Sequence, residues 1–159
     1  MRLSDWRSVA PSPAAVSDKV LAAVEPVLEG LGAEPDPPCW IAWGDDPQVR
    51  YTVLALGDAG IVVCHVRVNV PQEGPRASGK LVRWSRVQVG ELSVEHQGGH
   101  TLVNFQVEGQ LLRGVDDEAG PVTAFALDVF AGIDGRPLPS SGGAARRPPL
   151  PALPPPAGS

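Results

Sequence analysis

The sequence predicts an α+β fold. About six antiparallel strands form a bent sheet or small barrel, an N-terminal helix and a C-terminal amphipathic helix pack on it, and a disordered proline-rich tail follows. Three observations predict it. Apolar residues recur at helical spacing near both ends of the first 135 residues, and between those ends they alternate or run unbroken. The last 24 residues, in turn, hold eight of the chain's 18 prolines. With 43% hydrophobic residues over 159 positions, the chain can build one core and is too apolar to be wholly disordered. One folded domain follows, organised as an N-terminal segment (1–35), a sheet with its closing helix (36–135) and the tail (136–159).

The first ten residues are polar and expected to fray. Ser12-Pro13 then supplies a helix cap and a proline at the first helical position, where its missing N–H costs nothing. Val16, Val20, Val24, Val27 and Leu31 form one apolar stripe, which Pro26 should kink or end. The stiff connector Glu34-Pro35-Asp36-Pro37-Pro38 cannot be helical. Strands are expected at 40–43, 49–56, 61–70, 81–89, 92–97 and 101–112, each bounded by turn residues. The stretch 71–79, with its prolines and glycines, reads as a long hairpin loop. After Asp116-Asp117-Glu118 and Gly120-Pro121, Val122, Phe125, Val129 and Ile133 recur at helical spacing, with Gly132 and Gly135 to close the helix. Asp128 falls off that stripe and is expected to face outward.

Charge and motif content narrow the function by exclusion. A net charge of −5 disfavours generic binding to nucleic acid or to an anionic membrane. Five bases, Arg67, Arg76, Lys80, Arg83 and Arg86, nevertheless crowd into one window against the single acid Glu73. Two cysteines, Cys39 and Cys64, are too few for a disulfide framework, and Cys64 lies in an apolar run. No signal peptide and no integral membrane segment is apparent, so a soluble cytoplasmic protein is expected.

Gly74-Pro75-Arg76-Ala77-Ser78-Gly79-Lys80-Leu81 resembles a phosphate-binding loop. It lacks the hydroxyl after the lysine and precedes a strand rather than a helix, so nucleotide binding is not expected. His96 and His100 flank a Gln-Gly-Gly turn with His65 distant, which falls short of a metal-ligand set; no metal or cofactor is expected. No nucleophile motif occurs, and no catalytic residue is assigned. The tail carries Arg147, Pro148, Leu150, Pro151, Leu153 and Pro154 in overlapping proline spacings of the kind that dock into aromatic grooves. Trp40, Trp43 and Trp84 read as core aromatics.

The basic strand with a tryptophan, Lys80-Leu81-Val82-Arg83-Trp84-Ser85-Arg86-Val87, precedes two meandering strands, a loop and one amphipathic helix. From about residue 40 to 134, this order resembles a bacterial pleckstrin-homology-like (PH-like) domain. The resemblance implies a strongly bent β-barrel or pair of sheets with one end plugged by the last helix. That fold usually has seven strands, so a break is expected within 101–112 or 49–56. A second architecture, similar to type III secretion chaperone-like domains, would need a helix midway through the strands, which 71–79 cannot supply.

The first expectation for function is a non-enzymatic binding or adaptor module with an unidentified protein partner rather than a lipid. Arg76, Lys80 and Arg83 are the candidate ligand-binding residues, with an anionic ligand possible at the 71–80 loop. An enzyme or small-ligand carrier using the interior of the sheet is the alternative. A protein acting through its tail is the third.

Overall fold

The computed structural model describes residues 2–9, 14–46, 50–68, 72, 74–138 and 144–145. Its centre is an antiparallel sheet of four strands, β1 (Cys39–Asp46), β2 (Arg50–Leu56), β3 (Gly60–Arg67) and β4 (Arg76–Arg83), in the order β4-β3-β2-β1. The runs Trp40-Ile41-Ala42-Trp43, Val53-Leu54-Ala55-Leu56 and Ile61-Val62-Val63-Cys64 are continuously apolar because this sheet is buried on both faces. On one face, helix α2 (Ala14–Gly30) lays Val20, Val24 and Leu28 over Trp40, Val53, Val62 and Cys64. Leu3 and Trp6 complete that layer, Trp6 from the short helix α1 (Trp6–Val9).

On the other face, Ile41, Leu54, Leu56, Ile61 and Val63 meet a second core. Helix α3 (Ala119–Ile133) brings Val122, Phe125, Ala126 and Val129 to it. A second antiparallel sheet, β5 (Val89–Gln97), β6 (His100–Val107) and β7 (Gln110–Val115), brings Val103, Phe105, Val107 and Leu112. Helix α3 contacts β6 and β7 as well as β1 and β2, and so lies between the sheets. Phe105 and Phe130 seal the junction edge-to-face with ring centres 5.6 Å apart.

The class is α+β as expected, and the strand count is corrected. Seven antiparallel strands form two sheets, not six in one bent sheet or closed barrel. The expected strand 101–112 is a hairpin, β6–β7, because Glu108 and Gly109 both take positive φ (51° and 74°) and turn the chain. The expected strand 81–89 ends early, at Arg83, where a 3-10 turn Trp84–Arg86 follows. Trp84 donates its indole N–H to the Gly57 carbonyl at 2.9 Å and lies against Gly132. Gly132 therefore does not close α3; it sits inside the helix where any Cβ would strike that indole.

Helix α2 runs through Pro26 to Gly30. Val24 and Leu28, both fully buried, straddle the proline, and their packing offsets its penalty of about 3 kcal/mol. Residues 2–9 do not fray. Leu3 and Trp6 are buried, the Leu3 N–H donates to the Pro37 carbonyl, and Arg2 pairs with Glu34 across the connector. Asp128 is the remaining correction: it is 8% exposed, on a helix whose buried arc extends to Ala131 and Gly132.

The expected disordered tail falls largely outside the described residues, as do Arg147, Pro148, Leu150, Pro151, Leu153 and Pro154. Within the described part, Leu138 packs against the second core, and β8 (Ala144–Ala145) pairs in parallel with Ile41 and Ala42 of β1.

Candidate functional site

Cross-strand partners in an antiparallel sheet share a face, so the register of β2, β3 and β4 decides which polar side chains gather. Arg50 stands opposite Arg67, and Arg67 opposite Arg76. Thr52, His65 and Ser78 form the next row on that face, and Leu54, Val63 and Lys80 the one after. Leu54 and Val63 belong to the second core, so the face is buried at one end of the strands and open at the other. Arg50, His65, Arg67, Arg76, Ser78 and Lys80 are exposed there. Strands β2, β3 and β4 contain no acidic residue, while Asp46 of β1 stands opposite Arg50 in register.

Three arginines in one cross-strand row are unfavourable by themselves. Like charges directly opposite each other destabilise a sheet. Thr52 and His65 are near-neighbours across the strands, Oγ1 to Nδ1 at 3.4 Å. The arrangement presents several fixed donors on a flat surface and can bind carboxylate or phosphoryl oxygens.

The expected site is thereby redrawn. Arg76 and Lys80 are not loop residues; both belong to β4, four apart on one face. Gly79 reads as a loop signal in sequence, yet its role is close packing, since a Cβ would come within 2.7 Å of Val27 on α2. Arg83 lies on the opposite face, and Arg86 falls in the following 3-10 turn. Arg50 was missed by sequence reasoning, and Arg67, counted in the basic window, and His65 were not placed at the site. Their signal is the change from continuous to alternating polarity at Arg50-Tyr51-Thr52 and His65-Val66-Arg67.

No protein-family model, curated protein or solved structure matches the chain.

The other chemistry-bearing residues stand apart from this face. Cys39 and Cys64 are buried and unbridged in different cores, and burial pushes the Cys64 thiol up to about 11, which keeps it protonated and unreactive. His100 pairs with Asp116 at 2.8 Å. The His100 hydrogen bond and the Thr101 N–H together hold the Asp116 carboxyl below its usual range. His96 contacts Thr101 instead. Among the described residues no three of His, Cys, Asp and Glu gather as a metal would require. A cavity of about 500 Å³ opens between the α2–β1 connector, the β2–β3 turn and Leu138, lined by Leu31, Pro38, Leu56 and Leu81. Among the described residues, Glu34, Cys39 and Asp58 are its titratable lining residues. No described helix is long and apolar enough to cross a membrane.

Proposed function

We propose that this chain is a non-enzymatic binding module of PH-like architecture that holds an acidic protein partner on the open end of its first sheet. The observation that carries the reading is the exposed row Arg50, Arg67 and Arg76 with Lys80 beside it. The seven strands divided four and three, with α3 packed between the sheets, support the architectural part. The filled space between those sheets favours a binding surface over an internal catalytic or carrier cavity. A protein partner is favoured over a lipid surface because the cationic face has no exposed aromatic beside it to insert into a bilayer.

The test is a titration with a glutamate decapeptide at low and moderate salt, alongside vesicles containing anionic lipid. Wild-type protein is expected to bind the peptide saturably, with affinity falling as salt rises. The double variant Arg67→Glu/Arg76→Glu is expected to lose at least tenfold in affinity while unfolding at nearly the wild-type temperature. Equal binding by the variant overturns the site, and binding to vesicles but not to peptide overturns the choice of partner.

A further inference from the structure

The free edges of the two sheets carry opposite charge at matching spacing. Among the described residues, strand β4 ends the first sheet and pairs with β3 alone, and strand β5 ends the second and pairs with β6 alone. The outer edge of β4 presents Arg76 and Lys80 on one face, with Ser78 between them and Ala77 and Gly79 on the other. Strand β5 reads Glu91-Leu92-Ser93-Val94-Glu95. Its acids are likewise four apart around a serine, with apolar residues between them. Val94 is 54% exposed, unusual for a valine in a nine-residue strand.

We infer that β4 of one copy takes β5 of a second copy as an added antiparallel strand, joining the sheets of neighbouring molecules. This rests on the reading above that the cationic β4 surface meets an acidic protein segment, and it names that segment. In the register that sets Arg76 opposite Glu95 and Lys80 opposite Glu91, Ser78 meets Ser93. Ala77 then meets Val94 and Gly79 meets Leu92, so each face pairs like polarity with like or charge with countercharge. Glu95 also places an acid at the β4 end of the row Arg50, Arg67, Arg76, whose β1 end has Asp46 in register.

Two features oppose indiscriminate edge pairing and shape the proposal. A bulge between Val89 and Leu92 interrupts β5, which restricts regular pairing to Leu92–Gln97 and leaves Glu91 at its margin. Pairing of β4 with β4 would oppose bases to bases, so the contact joins unlike edges, β4 of one copy to β5 of the next. Successive copies then add in one direction, and the assembly grows with concentration.

Complementary charge reversal tests this on the full chain. One variant carries Arg76→Glu/Lys80→Glu, the other Glu91→Lys/Glu95→Lys. Sedimentation across a concentration series should show wild-type protein associating more at low salt than at high salt. Each variant alone should need at least tenfold higher concentration to associate. Mixing the two should restore association, because reversed β4 then faces reversed β5. Should either double variant fail to fold, the single variants Lys80→Glu and Glu91→Lys, which stand opposite each other, provide the same comparison. Association unaffected by the reversals, or not restored on mixing folded variants, overturns the β4–β5 contact. Wild-type protein that stays monomeric at low salt yet binds the glutamate peptide overturns this inference alone. Protein that does neither overturns the binding reading as well.

Discussion

The two sheets use the same secondary structure for different ends. In β1, β2 and β3 both faces of each strand are buried over most of their length, and the sequence there is unbroken Trp, Val, Leu and Ile. In β6 and β7 one face alone is buried, where polar residues alternate with Val103, Phe105, Val107 and Leu112, and β5 has no buried residue. Stability should therefore be concentrated in the first sheet, while the second tolerates change on its outer face. The open end of the first sheet is the exception. There a strand that is core at Val63 becomes surface at His65 and Arg67, which gives a cationic face the rigidity of the core beneath it.

Substitutions can break or sharpen that contrast. The largest effect is expected at Trp40, fully buried under α2: Trp40→Ala should cost about 3–5 kcal/mol in chemical denaturation. Val94→Ala on β5 should stay within about 0.5 kcal/mol, and comparable losses at the two positions would break the comparison. Next comes Gly132→Ala, which forces a methyl into the Trp84 indole and should cost roughly 1–3 kcal/mol, read from the same denaturation curves.

Asp128 gives a smaller effect that depends on pH. Burial raises its carboxyl pKa in the folded state, so the folded protein holds that proton more tightly than the unfolded chain. The associated stability is present below the unfolded pKa and lost as pH rises through the folded one. Asp128→Asn should therefore be more stable than wild type at neutral pH, with the advantage shrinking in acid, as thermal melts across pH will show. Asp116 runs the opposite way. Its lowered pKa means that the stability linked to it is present above the ordinary aspartate value and lost as pH falls through the folded pKa. Because this pair is exposed, Asp116→Asn should flatten the acid limb of the stability curve only slightly.

Much of this architecture was legible because periodicity reports local geometry. The stripes on α2 and α3 and the unbroken apolar runs of β1 to β3 are one-dimensional signals. What escaped was set by tertiary contact. Glu108-Gly109 lacks the Asn-Gly or Asp-Gly signature of a tight hairpin, so periodicity ran β6 and β7 together, and only the seven strands of the resembled fold pointed to a break, in 101–112 or in 49–56. Gly79 read as loop because its close approach to Val27 exists only once α2 has docked. Pro26 read as a kink or an end of the helix for a similar reason, since the packing of Val24 and Leu28 carries the helix through it. The arginine row escaped as well. Arg50, Arg67 and Arg76 lie 17 and nine positions apart, and register alone brings them together.

That row is also where function and stability should part company. If the three arginines are retained for binding, relieving their repulsion should strengthen the fold while weakening the site. The most direct test is Arg67→Thr, measured for thermal unfolding and for glutamate-peptide affinity in the same low-salt buffer. Removing the central charge should hold or raise stability by up to about 1 kcal/mol and reduce affinity severalfold. A destabilised variant that binds the peptide as well as wild type would show the row to be structural, contradicting a binding site at the open end of this sheet.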